Sequence, residues 1–333
     1  MATLYVTEPG SRLEKEYQRL RVVDREGKSL LVTPLARVSE VVLVGRAGAT
    51  TPAMLALLEA GVGLTLLTRA GKLRGRLTPP TGKNLPLRQK QYALAGDSAA
   101  RLRLGKAIVR GKLRNSRVMA RRMLYGKRDI TAPPGQLERL QAALKAVPGC
   151  ADIPALMGVE GRGAKAYFAI FRAALRQGLV FGPRTRRPPA DPVNALLSLG
   201  YSLLAANLTT ALEIVGLDPY CGYFHANAYG RPALALDLME EFRPIVADSV
   251  ALTLINNQML DANDFEAHGD GYYLTRRGLR AFFEAYTRRL NTTIHHPLAG
   301  RPLSYQKIFE VQARQLAKVI QAQIDDYPPF AVR

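Results

Sequence analysis

The apolar pattern of this chain changes its period once, near residue 80. Before that point, short apolar runs at residues 4–6, 19–23, 30–33 and 41–44 alternate with Gly, Pro and charged turns, which is the texture of strands. Thr51 followed by Pro52 predicts a helix start, with Thr51 as N-cap and Pro52 at the first helical position, running to about Ala60 and ended by Gly61. A buried strand at 62–67 follows, and Ala70 and Gly71 turn the chain back into another at 72–77. Pro79, Pro80, Gly82 and Pro86 then punctuate a linker. From about residue 88 onward apolar residues recur at helical spacing. Asp191 and Pro192 open a long helix with Leu196, Leu199, Leu203 and Leu204 on one face, and Gly216 closes it or a second helix begun near Leu208. Further helices are expected over 234–256 and 305–324. The chain therefore reads as α+β: a small N-terminal β-rich domain at 1–78, a linker at 79–96, and a larger all-α domain at 97–333.

Charge narrows the class of partner. Lys and Arg total 47 against 27 Asp and Glu, a net +20. Such a chain repels itself unless an anion offsets it, and nucleic acid does so by phosphate neutralisation and counterion release. An acidic membrane surface would call for a basic amphipathic helix or a lipid anchor, and neither is evident. No apolar run is expected to reach membrane-spanning length, and the N-terminus lacks the pattern of a signal peptide. Cys150 and Cys221 share no CxxC spacing and build no zinc site; free thiols in a reducing cytoplasm are expected.

Three clusters carry chemistry. In Leu236-Asp237-Leu238-Met239-Glu240-Glu241-Phe242-Arg243-Pro244, Asp237 and Glu240 share a helical face inside an apolar segment. Carboxylates there need a cation: a divalent ion, or an arginine such as Arg243, three residues on and expected to buttress Glu240. His225 lies just upstream on a glycine-containing loop, as a structural hydrogen-bonder or as a ligand; one imidazole with carboxylates suits Mn²⁺ and also accepts Mg²⁺. In the second cluster Glu160 sits among small residues, with Arg162 and Lys165 placed for phosphate contacts, or else pairs with a neighbouring Arg. The third, Arg184, Arg186 and Arg187 before Pro188 and Pro189, is a basic loop leading into a helix N-terminus, suited to DNA or to plain solvation. Arg117, Arg121, Arg122 and Lys127 lie in another basic stretch, a phosphate-contacting stripe or a wet helix face. Tyr167, Tyr201 and Tyr223 are read mostly as core, and His268, His295 and His296 as surface or substrate-contacting at best.

Taken in order, four segments resemble the CRISPR-associated integrase, the metal-dependent endonuclease of spacer acquisition. They are Gly158-Val159-Glu160-Gly161-Arg162, the helix start from Pro188 to Ser198, Gly216-Leu217-Asp218-Pro219 with Gly222-Tyr223-Phe224-His225, and the stretch from Leu236 to Pro244. The resemblance implies that Glu160, His225 and Glu240 are catalytic metal ligands for Mn²⁺ or Mg²⁺, with Asp237 a nearby second carboxylate. It implies a helical domain that carries catalysis and homodimers formed through the β domains. Double-stranded and branched DNA and a small companion protein of CRISPR adaptation are the implied partners. The implied chemistry is attack of a DNA 3′-hydroxyl on a phosphodiester, with hydrolysis as the side or reverse reaction. The competing reading is a basic DNA-binding protein without catalysis. Acids placed beside an anionic ligand discriminate the two, because a pure binder has no use for them.

Overall fold

The computed structural model describes residues 2–69, 71, 73–78, 84–125, 133–176, 179–185 and 188–332. In chain order the strands are β1 (Ala2–Val6), β2 (Arg12–Glu16), β3 (Arg19–Val23), β4 (Ser29–Pro34), β5 (Val38–Val44), β6 (Gly48–Ala49), β7 (Gly63–Leu67), β8 (Leu73–Leu77), β9 (Phe265–His268), β10 (Gly271–Leu274), β11 (Thr293–His296) and β12 (Arg301–Ser304). The helices are α1 (Thr51–Glu59), α2 (Leu85–Gly96), α3 (Ser98–Leu124), α4 (Gln136–Ala146), α5 (Ile153–Ala173), α6 (Pro192–Val215), α7 (Ala233–Phe242), α8 (Ser249–Asn256), α9 (Arg276–Asn291) and α10 (Tyr305–Ile320). The expected order, strands first and then a mostly helical region, is what the chain adopts.

Two compact units emerge. The first comprises Met1–Thr81, Leu179–Leu203 and Gln258–Asn291. Its N-terminal part holds two four-stranded sheets, ordered β1-β5-β7-β8 and β4-β3-β2-β6. Alternation along β2, β3 and β5 turns Leu13, Leu20, Val22, Val41 and Leu43 into one core, which Ala53 and Leu57 of α1 complete. The N-cap of α1 is Thr50, one residue earlier than expected, its hydroxyl accepting from the Ala53 amide, so Pro52 falls at the second helical position. Tyr5 on β1 stacks on Phe283 of α9 with ring centroids 4.6 Å apart, one reason a distant segment belongs to this unit.

The second unit comprises Gly82–Gly178, Leu204–Asn257 and Thr292–Arg333. Its centre is α3, capped by Asp97, whose carboxylate accepts from the Ala99 and Ala100 amides. Around α3 pack α2, α4, α5 and α7. At Gly163 a methyl group would lie 2.4 Å from Leu113, so the missing side chain lets α5 approach α3 closely.

Several sequence boundaries shift. The segment expected as a linker contains α2, capped by Asn84 and anchored by Gln91, whose amide donates to the carbonyls of Asp218 and Cys221. The expected helix over 234–256 is interrupted: residues Arg243–Asp248 form a π-helical turn between α7 and α8, at Pro244, which has no amide to donate. The mostly helical region also contains two hairpins, β9–β10 and β11–β12, each too short for a period to register. Helix α6 is long and apolar enough to span a membrane by length and composition, contrary to expectation; 72% of its apolar window is buried, as in a core helix. Tyr167 and Tyr223 are core, as read, whereas His296 is buried and stacked on Phe330 rather than at the surface.

Candidate active site

Helix α7 is buried on nearly every side, and Leu236 is its one residue that is not buried. Three acids nevertheless lie in it, and each finds a different partner. Asp237, fully buried, accepts the Tyr223 amide at 2.6 Å and the Phe224 amide at 3.0 Å on Oδ2. Its Oδ1 takes the His225 amide and ring Nδ1, both at 2.8 Å. One carboxylate thus gathers a whole loop. Gly222 must be glycine for this: a methyl there would sit 2.7 Å from the Ala233 carbonyl carbon and 2.9 Å from Asp237 Oδ2. Because an ionised carboxylate can only accept, Asp237 fixes the proton on Nδ1 and leaves the Nε2 lone pair of His225 available.

That Nε2 lies 3.7 Å from Glu240 Oε1, which Arg243 also approaches at 3.2 Å. The other oxygen, Oε2, meets the Lys112 ammonium of α3 at 2.5 Å. Lys112 also contacts Glu160 Oε1 on α5. Burial alone would raise the Glu240 carboxyl, but the Arg243 and Lys112 charges outweigh it and hold it below the usual carboxylate range. Glu240 is therefore ionised throughout the working range.

Its neighbour Glu241 has the opposite fate. Burial pushes it up to about 8, and hydrogen bonds with Tyr327, the Phe330 amide and Gln312 offset only part of that. Burial thus favours its neutral form, and it pins the C-terminal tail, its Oε2 accepting the Phe330 amide at 2.7 Å. Asn115 completes the clasp, donating to the carbonyls of Glu241 and Phe330 and accepting from the Val332 amide.

Glu160, His225 and Glu240, singled out from sequence, thus converge from three elements of one unit, and Arg243 stands in the buttressing position. Among the described residues no group of three His, Cys, Asp or Glu side chains is arranged to hold a metal ion as it stands. The two carboxylates instead share one cation, the Lys112 ammonium, and His225 stands on the far oxygen of Glu240. Two carboxylates and an imidazole nitrogen are by their chemistry a donor set that Mn²⁺ and Mg²⁺ accept.

Lys112 was not singled out from sequence, although a signal existed. It falls in register with Leu104, Ile108, Ser116 and Met119 on the buried face of α3, where a cation needs a partner. Of the expected phosphate-contacting residues, Arg162 and Lys165 are exposed on α5. Arg184 is held within its own unit: its guanidinium donates to Asn194 Oδ1 at 2.7 Å and to Ser198, and lies 5.3 Å over the Tyr201 ring. Arg186, Arg187 and Lys127 lie outside the described residues.

Residues 4–288 match the protein family described as CRISPR associated protein Cas1. The chain is 42% identical to a CRISPR-associated endonuclease Cas1 of Thermus thermophilus, over 100% of this chain and 98% of that protein. Its fold resembles that of a casposase bound to integration product, with a TM-score of 0.85 and 23% identity over 100% of this chain and 95% of the casposase. A chain of a Cas6-RT-Cas1–Cas2 complex superposes with a TM-score of 0.81 and 24% identity, over 99% of this chain and 36% of that one.

Proposed function

The chain belongs to the CRISPR-associated Cas1 family, and on that premise we propose that it cuts DNA and inserts short fragments into a CRISPR array through a divalent-metal site at Glu160, His225 and Glu240. The observation that supports this reading is that Glu160 and Glu240 share one cation, the Lys112 ammonium, while His225 Nε2 approaches the other oxygen of Glu240 at 3.7 Å. Mn²⁺ or Mg²⁺ bound there would polarise a phosphodiester and lower the pKa of an attacking DNA 3′-hydroxyl or water. The residues themselves do the positioning. Asp237 sets the imidazole's tautomer and angle, Arg243 holds Glu240 Oε1, and the packing of α5 on α3 at Gly163 fixes the reach of Glu160.

DNA binding has its own support. Helix α3 carries nine Lys and Arg and no Asp or Glu in 27 residues. Arg103, Arg110, Arg114 and Arg121 fall on one face, on the side of the helix away from Lys112. Such a face tracks phosphates and would make binding steeply salt-dependent.

The test is strand transfer and cleavage on a branched duplex with Mn²⁺, with and without EDTA. Activity that EDTA abolishes and fresh Mn²⁺ restores is expected. DNA binding without any metal-dependent turnover sinks the reading in favour of a non-catalytic binder. Assembly with a small Cas2-type companion belongs to the same proposal, and the same assay run with and without it checks that partner: no gain and no co-elution removes it.

Homodimer formation is part of the reading as well. The edge strand β4 exposes three consecutive apolar residues, Leu30, Leu31 and Val32, each more than 40% accessible. An uncovered apolar edge is a pairing surface. Light scattering is expected to give twice the 36.5 kDa chain mass, and Leu31→Glu to halve it. A wild-type monomer at micromolar concentration refutes this.

A further inference from the structure

We infer that Lys112 is an intramolecular competitor for the divalent ion: its ammonium stands between Glu160 and Glu240 and must withdraw before an ion can bridge them. This rests on the metal reading above and deepens it. The ammonium contacts Glu160 Oε1 and lies 2.5 Å from Glu240 Oε2, on a side chain only 10% exposed. An ion about 2.0–2.1 Å from both oxygens, the Mg²⁺–oxygen distance, has no room beside that nitrogen, and two cations so close repel.

Arg243 is placed differently. It meets the other oxygen of Glu240 from three residues along the same chain segment, so it can stay when an ion enters. Lys112 comes from another helix and sits between both carboxylates. It therefore holds Glu160 and Glu240 together until a stronger cation takes over. The ion then binds only those molecules in which Lys112 has swung away, and the observed affinity falls by that fraction. If the ammonium is in place nine times in ten, removing it tightens binding about tenfold.

The experiment is Mn²⁺ titration of the full chain without DNA, by calorimetry and thermal melting, comparing wild type with Lys112→Met. The variant is expected to bind Mn²⁺ at least about tenfold tighter. It is also expected to melt lower than wild type without Mn²⁺ and to recover most of that loss with it, because the ion replaces the missing positive charge. Equal or weaker Mn²⁺ binding by Lys112→Met overturns the inference.

A second measurement needs no variant. Labelling of wild type with an amine-reactive ester, read by mass spectrometry, is expected to modify Lys112 faster when Mg²⁺ is present; an unchanged rate overturns the inference. Two failures are told apart by Glu160→Gln and Glu240→Gln. If these abolish Mn²⁺ binding while Lys112→Met binds as wild type does, the metal site stands and the competitor role falls. If no protein in the set binds Mn²⁺, both fall.

Discussion

Glu240→Gln is expected to abolish strand transfer and cleavage while leaving DNA affinity within about twofold of wild type, since the proposed phosphate contacts lie on α3 and α5. Glu240 is the hub of the site. Lys112, Arg243 and His225 all approach its two oxygens, and the Arg243 and Lys112 charges hold it below the usual carboxylate range despite burial. The amide keeps the shape but removes the negative charge on which any bound cation depends. A metal contributes several kcal/mol of transition-state stabilisation, and at about 1.4 kcal/mol per factor of ten the loss is on the order of 10³-fold or more. The single-turnover rate of strand transfer in Mn²⁺ is the measurement. A Glu240→Gln protein that transfers strands within tenfold of wild type removes Glu240 from the reaction. Glu241→Gln is the internal comparison, because burial favours the neutral form of Glu241 and its side chain faces Phe330 and Gln312 rather than Lys112.

The contrast between these two adjacent acids marks how far the sequence could be read. Apolar neighbours make every acid of α7 expensive, and that much is visible in Leu236, Leu238 and Met239. Which acid meets cations and which is neutralised by burial depends on which way each faces, Glu240 toward α3 and α5 and Glu241 toward the C-terminal tail. That is tertiary information. Lys112 stayed hidden for a related reason: a basic stretch reads as surface until helical register shows that one of its members faces inward. The strand pattern of residues 1–78 was legible because alternation is local. The grouping of residues 258–291 with that segment was not, since the stacking of Tyr5 on Phe283 joins residues far apart in sequence. Arg184 misled in the other direction, since a basic loop looks available to phosphate until Asn194, Ser198 and the Tyr201 ring are seen to engage it.

Asp237→Ala is expected to cost more stability than any other single change at the site. The carboxylate accepts three consecutive backbone amides, those of Tyr223, Phe224 and His225, and the His225 ring as well. Removing it leaves donors without acceptors in a region where Tyr223 and Phe224 are buried. At about 1–3 kcal/mol for each buried group left unsatisfied, the three amides together cost about 3–9 kcal/mol. That is a large fraction of the margin of a typical fold, so urea unfolding should show the midpoint fall sharply. Asp237→Asn separates the structural part from the chemical part. Its oxygen can still accept, but its NH₂ faces donors, and the tautomer of His225 is no longer fixed with Nε2 unprotonated. This variant should keep most of its secondary structure yet lose about 10–100-fold in Mn²⁺ affinity or turnover. The ring itself reports the cause. In ¹⁵N spectra of labelled histidine, wild-type His225 is expected to show the proton on Nδ1, and Asp237→Asn a mixture of both tautomers. If Asp237→Asn keeps both the wild-type tautomer and the wild-type activity, the carboxylate only organises the loop and has no part in setting the ligand.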